Sequence, residues 1–210
     1  MKPFLRPLIF LTLLIAPAPG APAQSIYSFD ASGGSLEIDV YREGLFKAFG
    51  HNHRISAREF SGRVLLDGTK IAGSSVTLRV AVKSLAVLDP GESARDRQSV
   101  QITMLGEKVL DAAQFPEIVF TSSSVTRAEK LPDGWRILLA GTLQLHGRAK
   151  LISIPLTLRL SQDGMDAQGE IELAQSDYGI PPIQVAGGAV KVKNLLRIRF
   201  LIHARAAASS

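Results

Sequence analysis

Apolar and polar residues alternate along most of the chain after residue 24. The alternation is regular from Val76 to Lys83 and again over residues 152–160, where every second residue is aliphatic. Because successive side chains of a β-strand point to opposite faces, this period predicts strands with one apolar and one solvent-facing side, as in antiparallel sheets. Eight such strands are predicted, over residues 35–41, 53–66, 76–83, 117–127, 135–145, 152–160, 165–175 and 190–202.

One segment between the predicted strands has a different period. From residue 93 to residue 110 the apolar residues recur at roughly helical spacing, as Val100, Met104, Val109 and Leu110. This spacing predicts one helix or a helix pair. Aspartate–glycine pairs at residues 133–134 and 163–164 lie between alternating runs, and they predict tight hairpins.

These elements predict an all-β fold with a single helical crossover. Eight antiparallel strands are about the number that closes into a barrel able to hold one small ligand. A sandwich of two packed sheets is the alternative. Since no linker and no internal repeat divides residues 24–210, we expect them to form one domain.

The first 23 residues have the three parts of a secretory signal peptide. Lys2 and Arg6 precede an apolar run over residues 8–16, and Ala21-Pro22-Ala23 supplies the small residues that signal peptidase recognises. The alternative is a membrane anchor, but the run is about half the ~20 residues that a spanning helix needs. We therefore expect cleavage after Ala23, export to the periplasm or the outside, and no stable membrane insertion.

Composition and charge exclude several classes of protein. The chain has 0 cysteines, which rules out a disulfide scaffold, thiolate-bound zinc and a cysteine nucleophile. Hydrophobic residues make up 46 %, enough for one full core. Loss of Lys2 and Arg6 would lower the net charge from +5 by two, and so mild an excess does not indicate a nucleic-acid partner.

Four segments, taken together, resemble a known family. They are FSGRV at residues 60–64, FPEIVFTS at 115–122, GTLQLHG at 141–147 and SDYGI at 176–180. In this order they are similar to segments of the YceI-like, or polyisoprenoid-binding, family. The resemblance implies a lipocalin-like antiparallel barrel, export to the periplasm, a long isoprenoid or similar lipid bound inside the barrel, and no catalytic activity.

The inward face of the predicted strands is almost entirely aliphatic. Such an interior has no donors to orient a polar substrate, but it suits an isoprenoid chain, either of a quinone or of a polyprenyl lipid. The alternative is a core packed without a ligand, because alternation alone cannot distinguish a hollow barrel from a filled one. Shared parity within each strand predicts a cavity lined by Val80, Val82, Leu143, Leu145, Ile154, Leu156, Ile198 and Phe200.

Three histidines suggest further chemistry. His51 and His53 are two residues apart, so on a strand they face the same side, and His146 lies at a predicted corner. Together they would form a three-histidine metal site, which makes a metal-binding protein or metal-dependent enzyme the alternative function. The other interpretations are contacts at the barrel mouth, to a quinone carbonyl or a lipid head group, and plain structural hydrogen bonds. We expect no resident metal.

No catalytic constellation or cofactor motif is present in the sequence. A G-x-S-x-G elbow and a phosphate-binding glycine loop are both lacking, and Glu170 and Glu172 share what is predicted to be a solvated strand face. Arg95 and Arg97 at the start of the predicted helix would face solvent or attract an anionic head group. The oligomeric state stays open, with a homodimer as one form.

Two expectations concern the helical segment. We expect ligand to reach the interior beside residues 85–115, with Asp89-Pro90-Gly91 as a hinge, because a crossover can move without parting paired strands. The alternative route is the opposite end of the barrel, where the two hairpins lie. Phe115, next to Pro116 at a strand start, is expected to plug the barrel end under the helix.

Overall fold

The computed structural model describes residues 24–43, 52–68, 70–185 and 190–207. Twelve strands and one α-helix lie in these ranges: β1 (Gln24–Asp30), β2 (Gly34–Glu43), β3 (His53–Ala57), β4 (Phe60–Asp67), β5 (Ser75–Ala81), β6 (Leu85–Val87), α1 (Ala94–Leu105), β7 (Glu117–Leu131), β8 (Gly134–Leu145), β9 (Arg148–Leu160), β10 (Gly164–Ala174), β11 (Gln184–Val185) and β12 (Val190–Ala206).

Eight of these strands close into an antiparallel barrel. Their order is β1-β4-β5-β7-β8-β9-β10-β12, and β12 pairs back onto β1 through Tyr27 with Ala206 and Ser28 with Arg205. Closure gives every strand of the ring a partner on both edges, so no edge strand of the ring is left to pair with another chain. The predicted eight-stranded barrel is confirmed, and the sandwich is excluded.

Three pairs of consecutive strands, β1 and β2, β3 and β4, and β5 and β6, are separated by interruptions of only two or three residues. A 3-10 turn at Ala31–Gly33 separates β1 from β2, two residues separate β3 from β4, and a second 3-10 turn at Val82–Ser84 separates β5 from β6. Beyond the breaks, β12 pairs with β2, β2 with β3, and β3 with β6. The single strand predicted over residues 53–66 is therefore two strands, and β1, β6 and β11 were not predicted.

The helix α1 is shorter than the segment that the spacing indicated. Ser93 caps its start by accepting a hydrogen bond from the Asp96 N–H at 3.1 Å, and at its end the Gly106 N–H donates to the Ile102 carbonyl. Residues 106–110 form turns instead of continuing the helix. Within the described part of the chain, no helix has the length and apolar character needed to cross a membrane.

The side chain of Gln101 attaches α1 to the barrel. Its amide oxygen accepts from the Val87 N–H at 2.8 Å, and its amide nitrogen donates to the Leu85 carbonyl at 2.6 Å. One side chain thus makes the two hydrogen bonds that a neighbouring strand would make along β6. The helix therefore closes the barrel wall where β6 has no paired strand on that side among the described residues.

Pairing between β9 and β10 covers less than half of either strand. It runs from Met165 opposite Leu160 to Gly169 opposite Leu156 and then stops. The next residue of β9 is Pro155, which has no N–H to donate. Beyond that point the 3-10 turn Gln175–Tyr178, which follows β10, contacts β9 and continues the wall there.

The contacts of Gln101 lead to a prediction about stability. The substitution Gln101→Leu should lower the free energy of unfolding by about 1–3 kcal/mol, because a partly buried N–H and carbonyl of β6 lose their partners. Urea unfolding followed by circular dichroism would measure this. Gln98→Leu, at an exposed position of the same helix, is the control and should change stability by less than about 0.5 kcal/mol. Equal effects of both substitutions would contradict this role.

Candidate ligand-binding cavity

The barrel encloses a cavity of about 600 Å³. This volume falls within the roughly 300–1,000 Å³ that is typical of small-molecule sites. Its wall is formed by the inward-facing residues of the strands and by one side of α1. Seven residues predicted for the lining do line it: Val80, Leu143, Leu145, Ile154, Leu156, Ile198 and Phe200.

Val82 is the exception to the predicted lining. The strand predicted over residues 76–83 ends at Ala81, and Val82 begins the 3-10 turn that follows. Its N–H donates to the Pro116 carbonyl at 2.9 Å, and its side chain is 1 % exposed. Parity along a strand has no meaning beyond its end, so Val82 packs in the core next to the cavity instead of lining it.

The cavity also has lining residues that the sequence pattern did not predict. In β2 they are Leu36, Ile38 and Val40, whose alternation with charged and polar neighbours was a usable signal. Phe29 of β1 also lines the cavity, but the apolar Ile26 lies on the opposite face of the same strand, so the sequence of β1 shows no clear alternation. On α1 the lining includes Val100 and Met104, two of the residues whose helical spacing was noted.

One end of the cavity is closed by side chains. Leu66, Leu158, Met165 and Ala204 line it there, and each is at most 5 % exposed. These residues lie on the half of the barrel that carries the β7–β8 and β9–β10 hairpins. The polar lining residues of the opposite end lie beside α1. We call that end the mouth and define it by Arg42, His53, Ser99, Thr103 and Lys191.

A buried carboxylate holds His53 at the mouth. The His53 Nδ1–H donates to Asp89 Oδ2 at 2.6 Å, and the Asp89 side chain is 4 % exposed. The other oxygen of Asp89 accepts from the Arg54 N–H at 2.8 Å. The Arg97 guanidinium donates to the backbone carbonyls of Asp89 and Glu92, so the segment that was expected to be a hinge is held by several hydrogen bonds.

His53 and His146, two of the three histidines of the possible metal site, contact different residues. His146 Nδ1 lies 3.2 Å from the Tyr178 carbonyl, and its ring meets Phe115 edge-on with 4.8 Å between ring centroids. His53 instead pairs with Asp89, and His51 lies outside the described residues. Within the described ranges, no three His, Asp or Glu side chains are placed to hold a metal ion.

Phe115 packs outside the cavity. His146 and Gly147 form the tight β8–β9 turn, both with positive φ, of 50° and 70°, as a two-residue hairpin with the matching twist requires. A Cβ at Gly147 would stand 2.6 Å from the Phe115 ring. Phe115 therefore covers this turn and does not plug the cavity, which differs from the expectation.

Three phenylalanine rings lie close to glycines on the inward face. A Cβ at Gly141 would stand 2.5 Å from the Phe120 ring, and one at Gly169 would stand 2.7 Å from the Phe200 ring. Phe29 covers Gly62 in the same way. Because glycine has no side chain, each ring lies close to the wall and leaves the centre of the barrel open.

The outer face of the barrel carries paired charges. Arg197 of β12 lies 3.3 Å from Glu170 and 3.6 Å from Glu172 of β10. Arg199 lies 2.8 Å from Asp39. These pairs alternate with the cavity-facing residues along the same strands, so the two glutamates lie on the solvated face and not in the cavity. Exposed ion pairs of this kind add little to stability.

Tyr178 has a buried hydroxyl. The residue is 1 % exposed, and its hydroxyl has no hydrogen-bond partner among the described residues. Burial raises the pKa of Tyr178 above its ordinary value, since the phenolate would lose its hydration. The aromatic ring packs with Leu145, Leu173 and Ile180, between the cavity wall and the SDYGI turn.

The fold and cavity define the class of protein: a closed antiparallel β-barrel with one apolar interior. A family model described as the YceI-like domain matches residues 27–204. The chain therefore belongs to the YceI-like family, as the four segments indicated. A search of curated proteins finds no match.

Solved structures with the same fold come from several bacteria. Burkholderia cenocepacia BcnA is 18 % identical, with a TM-score of 0.64 over 83 % of this chain and 98 % of that one. A polyisoprenoid-binding domain from Saccharophagus degradans is 15 % identical, with a TM-score of 0.59 over 88 % and 100 %. Campylobacter jejuni YceI is 12 % identical, with a TM-score of 0.51 over 74 % and 85 %. At these identities the likeness shows the fold alone.

The buried hydroxyl of Tyr178 gives a prediction with a pH dependence. Tyr178→Phe should raise the free energy of unfolding at neutral pH by about 1 kcal/mol, because an unpaired buried hydroxyl is removed. Above pH of about 10 the unfolded phenol ionises before the folded one, so the wild type loses stability as pH rises and Tyr178→Phe loses less.

Denaturant unfolding at neutral and alkaline pH measures both effects. Tyr27→Phe, at a partly exposed position, is the control and should follow the wild type at neutral pH. A loss of stability in Tyr178→Phe at neutral pH would contradict the prediction, since it would mean that the hydroxyl makes a stabilising contact.

Proposed function

We propose that this protein is an exported lipid-binding protein that holds an isoprenoid chain in the barrel, as a carrier or store. The chain would belong to an isoprenoid quinone or a polyprenyl lipid. The single observation that supports this most strongly is the continuous aliphatic lining of the cavity, from Leu66 at the closed end to Ile198 near the middle. The description of the Saccharophagus relative as a polyisoprenoid-binding domain agrees with this proposal.

The physical chemistry of the lining favours a long apolar guest. Apolar surface removed from water contributes about 25 cal/mol per Å², so an apolar chain can be held without any hydrogen bond along its length. Branched isoprene units suit a wall of branched aliphatic side chains such as Ile152, Ile154 and Leu156, which line the cavity. A polar substrate would find few partners there, and we propose binding without catalysis.

Export follows from the N-terminal segment. A basic start, an apolar run and Ala21-Pro22-Ala23 would direct the chain out of the cytoplasm and be removed. A carrier in the periplasm would shield an isoprenoid chain from water between two membranes or enzymes. Mass spectrometry of the protein purified from its own periplasm gives both the mature N-terminus and any lipid retained.

Lipid retention should depend on the inward face of β9. Leu156→Arg should abolish retention of the co-purified lipid, because a charge placed in the aliphatic cavity cannot be solvated once a chain fills it. Ser153→Arg, on the exposed face of the same strand, is the matched control and should retain lipid. Native mass spectrometry followed by lipid extraction measures the difference.

Folding has to be checked in the same preparations. Circular dichroism and the Tm separate loss of the cavity from loss of the barrel. A second variant, Ile154→Phe, adds volume without charge and should reduce retention while the barrel stays folded. Undiminished lipid in a folded Leu156→Arg protein would place the lipid elsewhere. Near-stoichiometric zinc or copper in chelator-free protein would favour the metal alternative.

Ligand access should occur beside α1. The mouth lies there, and the opposite end is filled by buried side chains. In hydrogen exchange, adding lipid should first increase protection within residues 85–115, because α1 is joined to β6 through a side chain and can move without parting a ladder of paired strands. Increased protection confined to the loops between β7 and β8 and between β9 and β10 would instead put access at the hairpin end.

A further inference from the structure

The inward row of β2 ends in a positive charge. Leu36, Ile38 and Val40 line the cavity, and Arg42 continues the same row as its last member. Across the strand pair, the partner of Arg42 on β12 is the apolar Val192. The backbone of Arg42 is held by a hydrogen bond that its N–H donates to Asn52 Oδ1 at 3.2 Å.

The carboxylates of Asp89 and Glu43 lie near the mouth but are not part of the cavity lining. Asp89 bonds to His53 and the Arg54 N–H. Glu43 is exposed and lies opposite Lys191, the other cation that borders the mouth. Of the described residues that line the cavity, Arg42 and Lys191 carry positive charge and none carries a carboxylate. Arg42 makes no ion pair within the described part of the chain.

His53 begins the inward row of β3, directly across from Val40. Because its Nδ1–H donates to Asp89, Nε2 is the ring nitrogen left for a ligand. The carboxylate of Asp89 fixes the plane of the ring, as second partners of functional histidines commonly do. The mouth therefore offers a guanidinium and an oriented imidazole at the end of an apolar cavity.

From this arrangement we infer that the bound lipid carries an anionic head group, a phosphate or a carboxylate, which Arg42 pairs with at the mouth. The inference rests on the proposed function, since it requires the apolar chain to occupy the barrel. A guanidinium binds either anion through two parallel N–H donors. A neutral quinone or alcohol forms no such ion pair, so the mouth favours an anionic head group over a neutral one.

The test compares three ligands with one chain of 20 carbons: geranylgeranyl phosphate, geranylgeranoic acid and geranylgeraniol. Displacement of an apolar fluorescent probe from the mature protein gives their affinities. We expect at least one anion to bind about tenfold or more tightly than the alcohol, as one charge-assisted hydrogen bond provides. This preference should shrink as salt is added, because the mouth is partly exposed.

Variants assign the preference to a residue. Arg42→Gln should remove most of the preference while the affinity for geranylgeraniol stays unchanged, and Arg42→Lys should restore part of it. Arg54→Gln is the matched control, because Arg54 is on the outer face of β3, 3.5 Å from Asp39. It removes one positive charge near the mouth without touching the cavity and should keep the full preference.

The outcomes separate this inference from the proposed function. Equal affinities for the alcohol and both anions, or a preference that survives Arg42→Gln, would overturn the anionic head group and leave lipid binding intact. Failure of all three ligands to displace the probe would overturn the proposed function itself. Inorganic phosphate should bind far more weakly than geranylgeranyl phosphate, and comparable affinities would show an anion site that has no link to a lipid.

Discussion

Backbone pairing along both edges of β12 is the constraint on which the rest of the structure depends. One edge pairs with β10 over eleven register positions, from Gly164 to Ala174. The other edge pairs with β2 and then with β1. Without these last bonds the strands would form an open sheet with an apolar face exposed to water. With these bonds the sheet closes, and the inward-facing side chains of all its strands surround one enclosed cavity.

Whether that space is filled or hollow depends on where the large side chains lie. Phenylalanine rings would fill a barrel of eight strands if they pointed to its axis. Here Phe120 and Phe200 lie over Gly141 and Gly169, so the two rings occupy the space that side chains at these glycines would take and stay close to the barrel wall. The protein thereby keeps the stabilising contacts of aromatic burial together with a cavity that a flexible apolar chain can occupy.

The two ends of the barrel differ in what covers the cavity. Buried side chains such as Met165 and Ala204 close the end that carries the β7–β8 and β9–β10 hairpins. At the other end the strands break, and α1 is attached to β6 through the side chain of Gln101. Here the polar residues Arg42 and His53 end two otherwise apolar rows. A guest with a long apolar part and one polar end would fit this asymmetry.

The amino-acid sequence by itself determined most of the barrel strands, most of their inward faces, the two hairpins and the family, because alternation and turn residues are local properties. Seven of the predicted lining residues follow from parity alone. The position of Val82, the break inside residues 53–66 and the closing strand β1 depended on the tertiary structure. Strand ends and closure are set by which backbone groups find partners across the barrel, and a local sequence pattern does not contain that information.

The position of His53 also depended on the tertiary structure, because its partner Asp89 is 36 residues away. Only the folded barrel brings that carboxylate to the mouth and leaves His146 on a separate turn.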